Sequence, residues 1–209
     1  METLKSLRIE TGIATAARAG ETESGDVSVV SLTPGGALLG VVDGLGHGKE
    51  AAAAAMLAIS VLEAHSSESL IALVRRCNEE LRATRGVVVS LASINAGEGA
   101  LTALSWIGIG NVEGILLRAD SRTHPPMESL LLRGGVVGGT ELPPLSETVL
   151  PIFPGDTLIF ATDGIKSGFS VGRVPRTAPQ RLANWILRHH AKGTDDALVL
   201  VARYLAGPA

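Results

Sequence analysis

The spacing of hydrophobic and polar positions changes several times along the chain, and each change marks an element. From Leu4 to Arg18 apolar and polar residues alternate loosely, which predicts a strand. A polar, Gly-containing loop, Ala19–Gly25, follows. Asp26–Leu32 is rich in β-branched residues, Ala37–Val42 is apolar, and Pro34-Gly35-Gly36 lies between them, so the two runs predict a hairpin. The period then lengthens. Lys49–His65 is Ala-rich and free of Gly and Pro, a good helix former. Ser66 or Ser67 can cap a second helix, with Leu70, Leu73, Val74, Cys77 and Leu81 at helical spacing and Gly86 as the stop.

The remainder is mostly strand. Val87–Asn95, Leu101–Gly108 and Val112–Arg118 are apolar runs separated by turns at Ala96–Gly99 and Gly110-Asn111, a meander. Ser129–Arg133 and Thr157–Thr162 predict further strands between Gly- and Pro-rich loops. Ala178–Ala191 is a helix with Leu182, Trp185, Ile186 and His189 on one face, and Ala197–Tyr204 is a last strand. Adjacent hairpins, rather than regular strand–helix–strand units, predict an α+β chain: antiparallel sheets face to face with helices outside. With no repeat, low-complexity segment or linker, residues 1–209 read as a single domain.

Composition narrows the function. Hydrophobic residues make up 45% of the 209 and mean hydropathy is +0.31, enough for a sizeable core. Aromatics are only 3%, so that core is built from Leu, Val, Ile and Ala, and base-stacking platforms for single-stranded nucleic acid are disfavoured. The formal charge is −3 with Lys and Arg scattered, which gives no basic stripe for nucleic acid. The single cysteine, Cys77, allows no internal disulfide. No signal pattern opens the chain, and the longest apolar run, Ala51–Ile59, is too short to span a membrane. The expectation is a cytoplasmic protein with neither nucleic-acid nor membrane partners.

The chemistry resides in aspartates. Asp26 opens a strand after Gly25; Asp43 closes one before Gly44; Asp163 closes one before Gly164; Asp195 and Asp196 open the last. A carboxylate fixed at a strand end beside Gly is a good ligand for a hard divalent ion, because Gly permits close approach. Any one Asp-Gly is more often a plain turn; the joint pattern is what points to two ions clamping a water against a phosphate. Other residues carry less. Cys77 precedes Arg82 by a Cys-x4-Arg spacing, not the Cys-x5-Arg of cysteine phosphatases, so it reads as core. The glycines at 134–135 and 138–139 precede no helix start and make a weak nucleotide signal.

Gly25-Asp26, Val42-Asp43-Gly44-Leu45-Gly46-His47-Gly48, Gly110-Asn111, Ala161-Thr162-Asp163-Gly164 and Thr194–Val199 together resemble the PP2C-type (PPM) metal-dependent phosphatases in their compact bacterial form, over roughly residues 5–204. The resemblance implies a PP2C-like α-β-β-α sandwich of two central antiparallel sheets flanked by helices. It implies two Mn²⁺ or Mg²⁺ ions. Asp43 would bridge both, the Gly44 carbonyl would bind one, and Asp163 and Asp195 the second, with Asp26 binding directly or through water. Asp43 and Asp26 are then the catalytic aspartates, while His47 and Asp196 stand behind the ligands. The implied reaction is hydrolysis of phosphoserine or phosphothreonine without a phosphoenzyme.

Arg76–Glu79, Arg85-Gly86 and Ile109–Val112 further resemble the stand-alone stressosome phosphatases of the RsbX type. That subgroup implies a phosphorylated stressosome scaffold protein, with a STAS-type domain, as partner, and the resetting of a general stress response. The alternatives are a phosphatase acting on an anti-sigma-factor antagonist and a non-catalytic binding module of the same fold. Two departures stand out. Larger members place His directly after the Asp-Gly, where this chain has Leu45; and the usual phosphate-binding Arg is missing, with Arg18 the nearest substitute. Recognition is therefore expected from docking loops around the metal cleft, Arg118–Met127 and Lys166–Thr177.

Overall fold

The computed structural model describes residues 7–205 apart from 34, 97–101, 121 and 171–173. The predicted strand residues Leu4–Ser6, Pro34 of the first turn and most of the Ala96–Gly99 turn lie outside the described residues. In chain order the elements are β1 (Arg8–Ala16), β2 (Asp26–Thr33), β3 (Gly36–Gly44), α1 (Lys49–Ala64), α2 (Leu70–Glu80), β4 (Val87–Ala96), β5 (Thr102–Ile109), β6 (Glu113–Leu117), β7 (Met127–Ser129), β8 (Leu132–Arg133), β9 (Thr148–Ile152), β10 (Thr157–Ala161), α3 (Pro179–His190) and β11 (Ala197–Leu205).

Two sheets form. One has the order β1-β11-β10-β6-β7; the other runs β2-β3-β4-β5-β8, with β9 also paired to β5. Three apolar layers hold them. Residues of α1 and α2 such as Leu62, Leu73 and Cys77 pack on Val42, Val89 and Leu91 of the second sheet. Leu39, Trp106, Phe160 and Leu200 fill the space between the sheets. Leu182, Ala183 and Ile186 of α3 pack on Ile159 and Val199 of the first sheet. This is the α-β-β-α sandwich, with two helices on one face and one on the other.

The central strands are buried on both sides, which is why β3 reads as an unbroken apolar run. Each fully buried Leu or Val there contributes about 1.5–3 kcal/mol. Helix α2 is capped by Ser69, whose hydroxyl accepts from the Ala72 N–H, two or three residues later than the predicted cap at Ser67 or Ser66.

Two strand predictions are corrected. The run Ser129–Arg133 is not one strand: β7 pairs with β6 in the first sheet, and β8 pairs parallel with β5 in the second. The chain changes sheets at Leu130, which is buried between them, and Leu131 is left 64% exposed. Strand β9 lies where the Gly- and Pro-rich composition predicts loop. It lies on the outer edge of β5, carries Pro151 within it and exposes Val149. Pro is tolerated only where no ladder N–H is required, so the residue that hid the strand also fits its edge position.

Candidate active site

Pairing register brings the first two aspartates together. Asp26 and Asp43 are direct cross-strand neighbours at the ends of β2 and β3, and the Gly44 N–H donates to the Gly25 carbonyl beside them (3.0 Å). The other sheet delivers the remaining three. Asp163 follows β10, and Asp195 and Asp196 precede β11; Ala161 pairs with Val199, so these two strand ends are neighbours. The Thr162 N–H donates to the Leu198 carbonyl (3.0 Å) and its hydroxyl accepts from the Leu198 N–H (2.8 Å), which fixes Asp163 at the rim.

Glycine makes the approach possible at two points. A Cβ on Gly44 would lie 2.2 Å from the Ala51 carbonyl oxygen of α1, and one on Gly164 would lie 1.8 Å from that of Asp196. Neither position admits a side chain without moving backbone.

All five aspartates line one pocket of about 200 Å³, together with Arg18, Leu45, Gly46, His47, Val88 and Asn111. The two sheets thus contribute acids to a single cleft. No cationic side chain in the described residues is paired with any of the five.

The electrostatic consequence is large. Burial pushes the Asp26 carboxyl up to about 7; a hydrogen bond from Thr162 partly offsets this, and repulsion from Asp196, Asp163 and Asp195 adds to it. Burial, then repulsion from Asp26 and the other three, pushes Asp43 up to about 8. Asp26 Oδ2 is buried with no hydrogen-bond partner among the described residues. An orphaned carboxylate oxygen and two carboxyls driven toward their neutral form are what divalent cations would relieve, so the donor set fits the metals.

No three His, Cys, Asp or Glu side chains among the described residues form a compact ligand group. The acids are instead spread around the pocket wall, which suits Mg²⁺, an ion that takes one or two carboxylates and keeps several waters.

The supporting residues are as specific. Asp196 accepts from the backbone N–H groups of Arg18 and Gly25, both at 2.8 Å, and so straps the 18–25 loop that carries Asp26. Asn111 donates to Asp163 Oδ2 (2.8 Å). His47 Nδ1 sits 2.9 Å from Glu21 Oε1, which leaves Nε2 as the nitrogen available to the pocket. The sequence motifs include Asn111 and Thr162 but assign them no role, and nothing in them points to Glu21, which comes from another segment and carries no local signal. Arg18 does line the pocket, as its position before Asp26 suggested.

The two expected docking loops contribute no described residue to the lining of this cleft. They meet at the opposite end of the first sheet, where Arg118, Ala119, Pro126 and Met127 face Ser170 and Val174–Arg176 across a separate cavity.

Two facing antiparallel sheets between helices, closing on a carboxylate cluster, define a PP2C-type serine/threonine protein phosphatase. The chain belongs to the Stage II sporulation protein E (SpoIIE) family, whose model matches residues 33–205.

Among solved structures it is similar to a chain from work on the bacterial stressosome, described as a modular system adapted to control secondary messenger signaling. The TM-score is 0.82 and identity 31%, covering 94% of this chain and 100% of that one. RsbX in complex with magnesium superposes with TM-score 0.77 at 20% identity, over 96% and 99% of the two chains. The PP2C phosphatase domain of SpoIIE from Bacillus subtilis, with a fragment of its regulatory domain, gives 0.75 at 22%, over 98% of this chain and 65% of that one. These two likenesses show the fold. No curated protein sequence matches the chain.

Proposed function

We propose that this chain hydrolyses phosphoserine or phosphothreonine on a phosphorylated stressosome scaffold protein, with a STAS-type domain, and so resets a general stress response in the cytoplasm. The observation that carries the reading is the meeting of five uncompensated aspartates in one cleft, with Asp26 and Asp43 side by side. Asp43 would touch both ions, the Gly44 carbonyl one of them, Asp163 and Asp195 the second, and Asp26 would bind directly or through water. When bound, Mn²⁺ or Mg²⁺ neutralises phosphoryl charge and activates water for in-line attack.

The chain's own residues do the rest. Asp196 holds the Asp26 loop in place, and Asn111 orients Asp163. His47, held by Glu21, supplies the proton to the departing serine or threonine oxygen from Nε2, a role for which Leu45 has no group. Thr162 and the strand ends keep the acids rigid.

The stressosome assignment rests on the 31% identical relative and on motifs that resemble the RsbX type. An anti-sigma-factor antagonist is the rival substrate, the alternative that the sequence motifs leave open. The test compares kcat/KM for a folded phosphorylated scaffold domain, a phosphorylated anti-sigma-factor antagonist, a phosphopeptide and a free nucleotide. The scaffold is expected to be the best substrate. Equal efficiency on the peptide or the nucleotide would remove the docking argument, and preference for the antagonist would move the enzyme to another pathway. A preparation with full metal but no turnover of any phosphoester would leave only a binding module.

A further inference from the structure

The cavity at the far end of the first sheet is separate from the carboxylate cleft. The six residues from Thr157, which lines it, to Asp163 span about 20 Å of strand. It encloses about 630 Å³, within the size range of small-molecule sites. Its apolar wall includes Leu117, Met127, Val174 and Leu182, and three guanidinium groups, Arg118, Arg176 and Arg203, line it as well.

These arginines are not equivalent. The Arg118 side chain is only 4% exposed; Nη1 donates to Asp156 (3.0 Å) and the Pro151 carbonyl (2.7 Å), and Nη2 to Glu128 (3.4 Å). Its Nε is buried with no partner among the described residues. A charged donor left unpaired at that depth is costly, and native proteins rarely leave one. Arg203 is held by the Thr157 hydroxyl (3.2 Å) and the Thr177 carbonyl (2.6 Å), with its charge unpaired. Arg176 is exposed, and Asp120, the acid nearest to it by its electrostatic effect, is already gripped by Arg122. With Asp156 and Glu128 both on Arg118, Arg203 and Arg176 are the lining cations that form no salt bridge among the described residues.

We propose that this cavity binds a small organic monoanion, a carboxylate on an apolar body. The head group faces Arg203 and Arg176, while the body lies on Leu117, Met127 and Leu182. Two coplanar carboxylate oxygens match guanidinium donors. No aromatic side chain among the described residues lines the cavity, so a nucleobase would have nothing to stack on.

Methionine methyl groups report on this directly. Met127 lines the cavity, and Met56, 52% exposed on α1, is an internal control. Protein labelled with ¹³C-methyl methionine is titrated with 4-phenylbutyrate and, separately, with its uncharged amide. The Met127 resonance, assigned with Met127→Leu, should move and saturate while Met56 stays put. The amide should bind about tenfold more weakly, and so should the acid to Arg176→Gln. An unmoved Met127, parallel non-saturating movement of Met127 and Met56, equal binding of acid and amide, or undiminished binding to Arg176→Gln would each overturn the proposal.

Discussion

The strands β10 and β11 carry charge at both ends, and the two ends treat it in opposite ways. At one end Asp163, Asp195 and Asp196 join Asp26 and Asp43 with no salt bridge to any of them among the described residues, though Arg18 lines the same pocket. At the other, Asp156 is fully buried but is satisfied three times over, by Arg118 and by the N–H groups of Ala119 (2.8 Å) and Phe153 (3.1 Å). The contrast teaches how to tell function from architecture here. A buried acid whose charge is matched locks a loop to a strand. Acids crowded together without a matching cation repel one another: here Asp26 and Asp43 are pushed up, which destabilises the fold at neutral pH, a cost that a protein retains only where a bound cation or a reaction needs it.

Breaking the unmatched end should have the largest effect. Asp43→Asn is expected to lower kcat on an aryl phosphate by about a thousandfold or more, equivalent to about 4 kcal/mol of barrier. In chelator the same variant should be more stable than the parent, because a repelled buried carboxyl has gone. A gain of about 1 kcal/mol would raise Tm by about 2–4 °C in a chain of this size. A variant that keeps full activity would break the comparison outright.

Breaking the matched end should cost stability instead. Arg118→Met leaves Asp156 buried without its cation, with an expected loss of about 3–5 kcal/mol in urea unfolding. Activity at low temperature should stay within a few-fold. Arg118→Met combined with Asp156→Leu should recover part of the loss, since the fully buried acid goes with its cation, while Glu128 and the N–H groups of Ala119 and Phe153 each lose a partner. An activity loss in the single variant as deep as that of Asp43→Asn would mean that the two ends are not separate.

Smaller effects sharpen the picture. His47→Asn should slow hydrolysis of a phosphoserine peptide by about 10–100-fold and scarcely touch p-nitrophenyl phosphate, whose leaving group needs no proton. Equal loss on both would make His47 a structural residue of the loop. Cys77→Ser should cost about 1 kcal/mol and leave kcat within a few-fold. The thiol is buried against α1, and burial pushes it up to about 12, so it is no nucleophile near neutral pH.

The two ends were also unequally legible in the sequence. All five aspartates of the cleft could be found because each sits at a strand end with a local signature, Gly beside Asp or paired Asp before an apolar run. Their convergence needed the hairpin register of β2 and β3, the pairing of β10 with β11, and the packing of the two sheets face to face, which no local signal records. The Arg118–Asp156–Glu128 network could not be read, since its members lie 38 and 10 residues from Arg118 and none is unusual in its own segment. The same holds for Glu21, which reaches His47 from a loop 26 residues away. Strand β9 was hidden by Pro151, and the run Ser129–Arg133 by a change of sheet that no periodicity records. Local grammar located the chemistry; tertiary pairing decided the rest.

The central claim is that the acidic end is built for divalent metal and strained without it, and the protons on its aspartates are the sharpest test. Both raised carboxyls favour the protonated folded state, so stability of the metal-free protein should fall as pH rises from about 4, the unfolded carboxyl value, through about 7 and about 8, the folded ones. Metal requires the ionised forms, so binding must expel these protons. Calorimetric titration of chelator-stripped protein with Mn²⁺, near neutral pH in buffers of different ionisation enthalpy, should show two ions bound with net proton release. The release should fade by about pH 9 and be smaller in Asp43→Asn. Mn²⁺ binding without proton exchange, or undiminished binding of both ions to Asp43→Asn, would contradict the account.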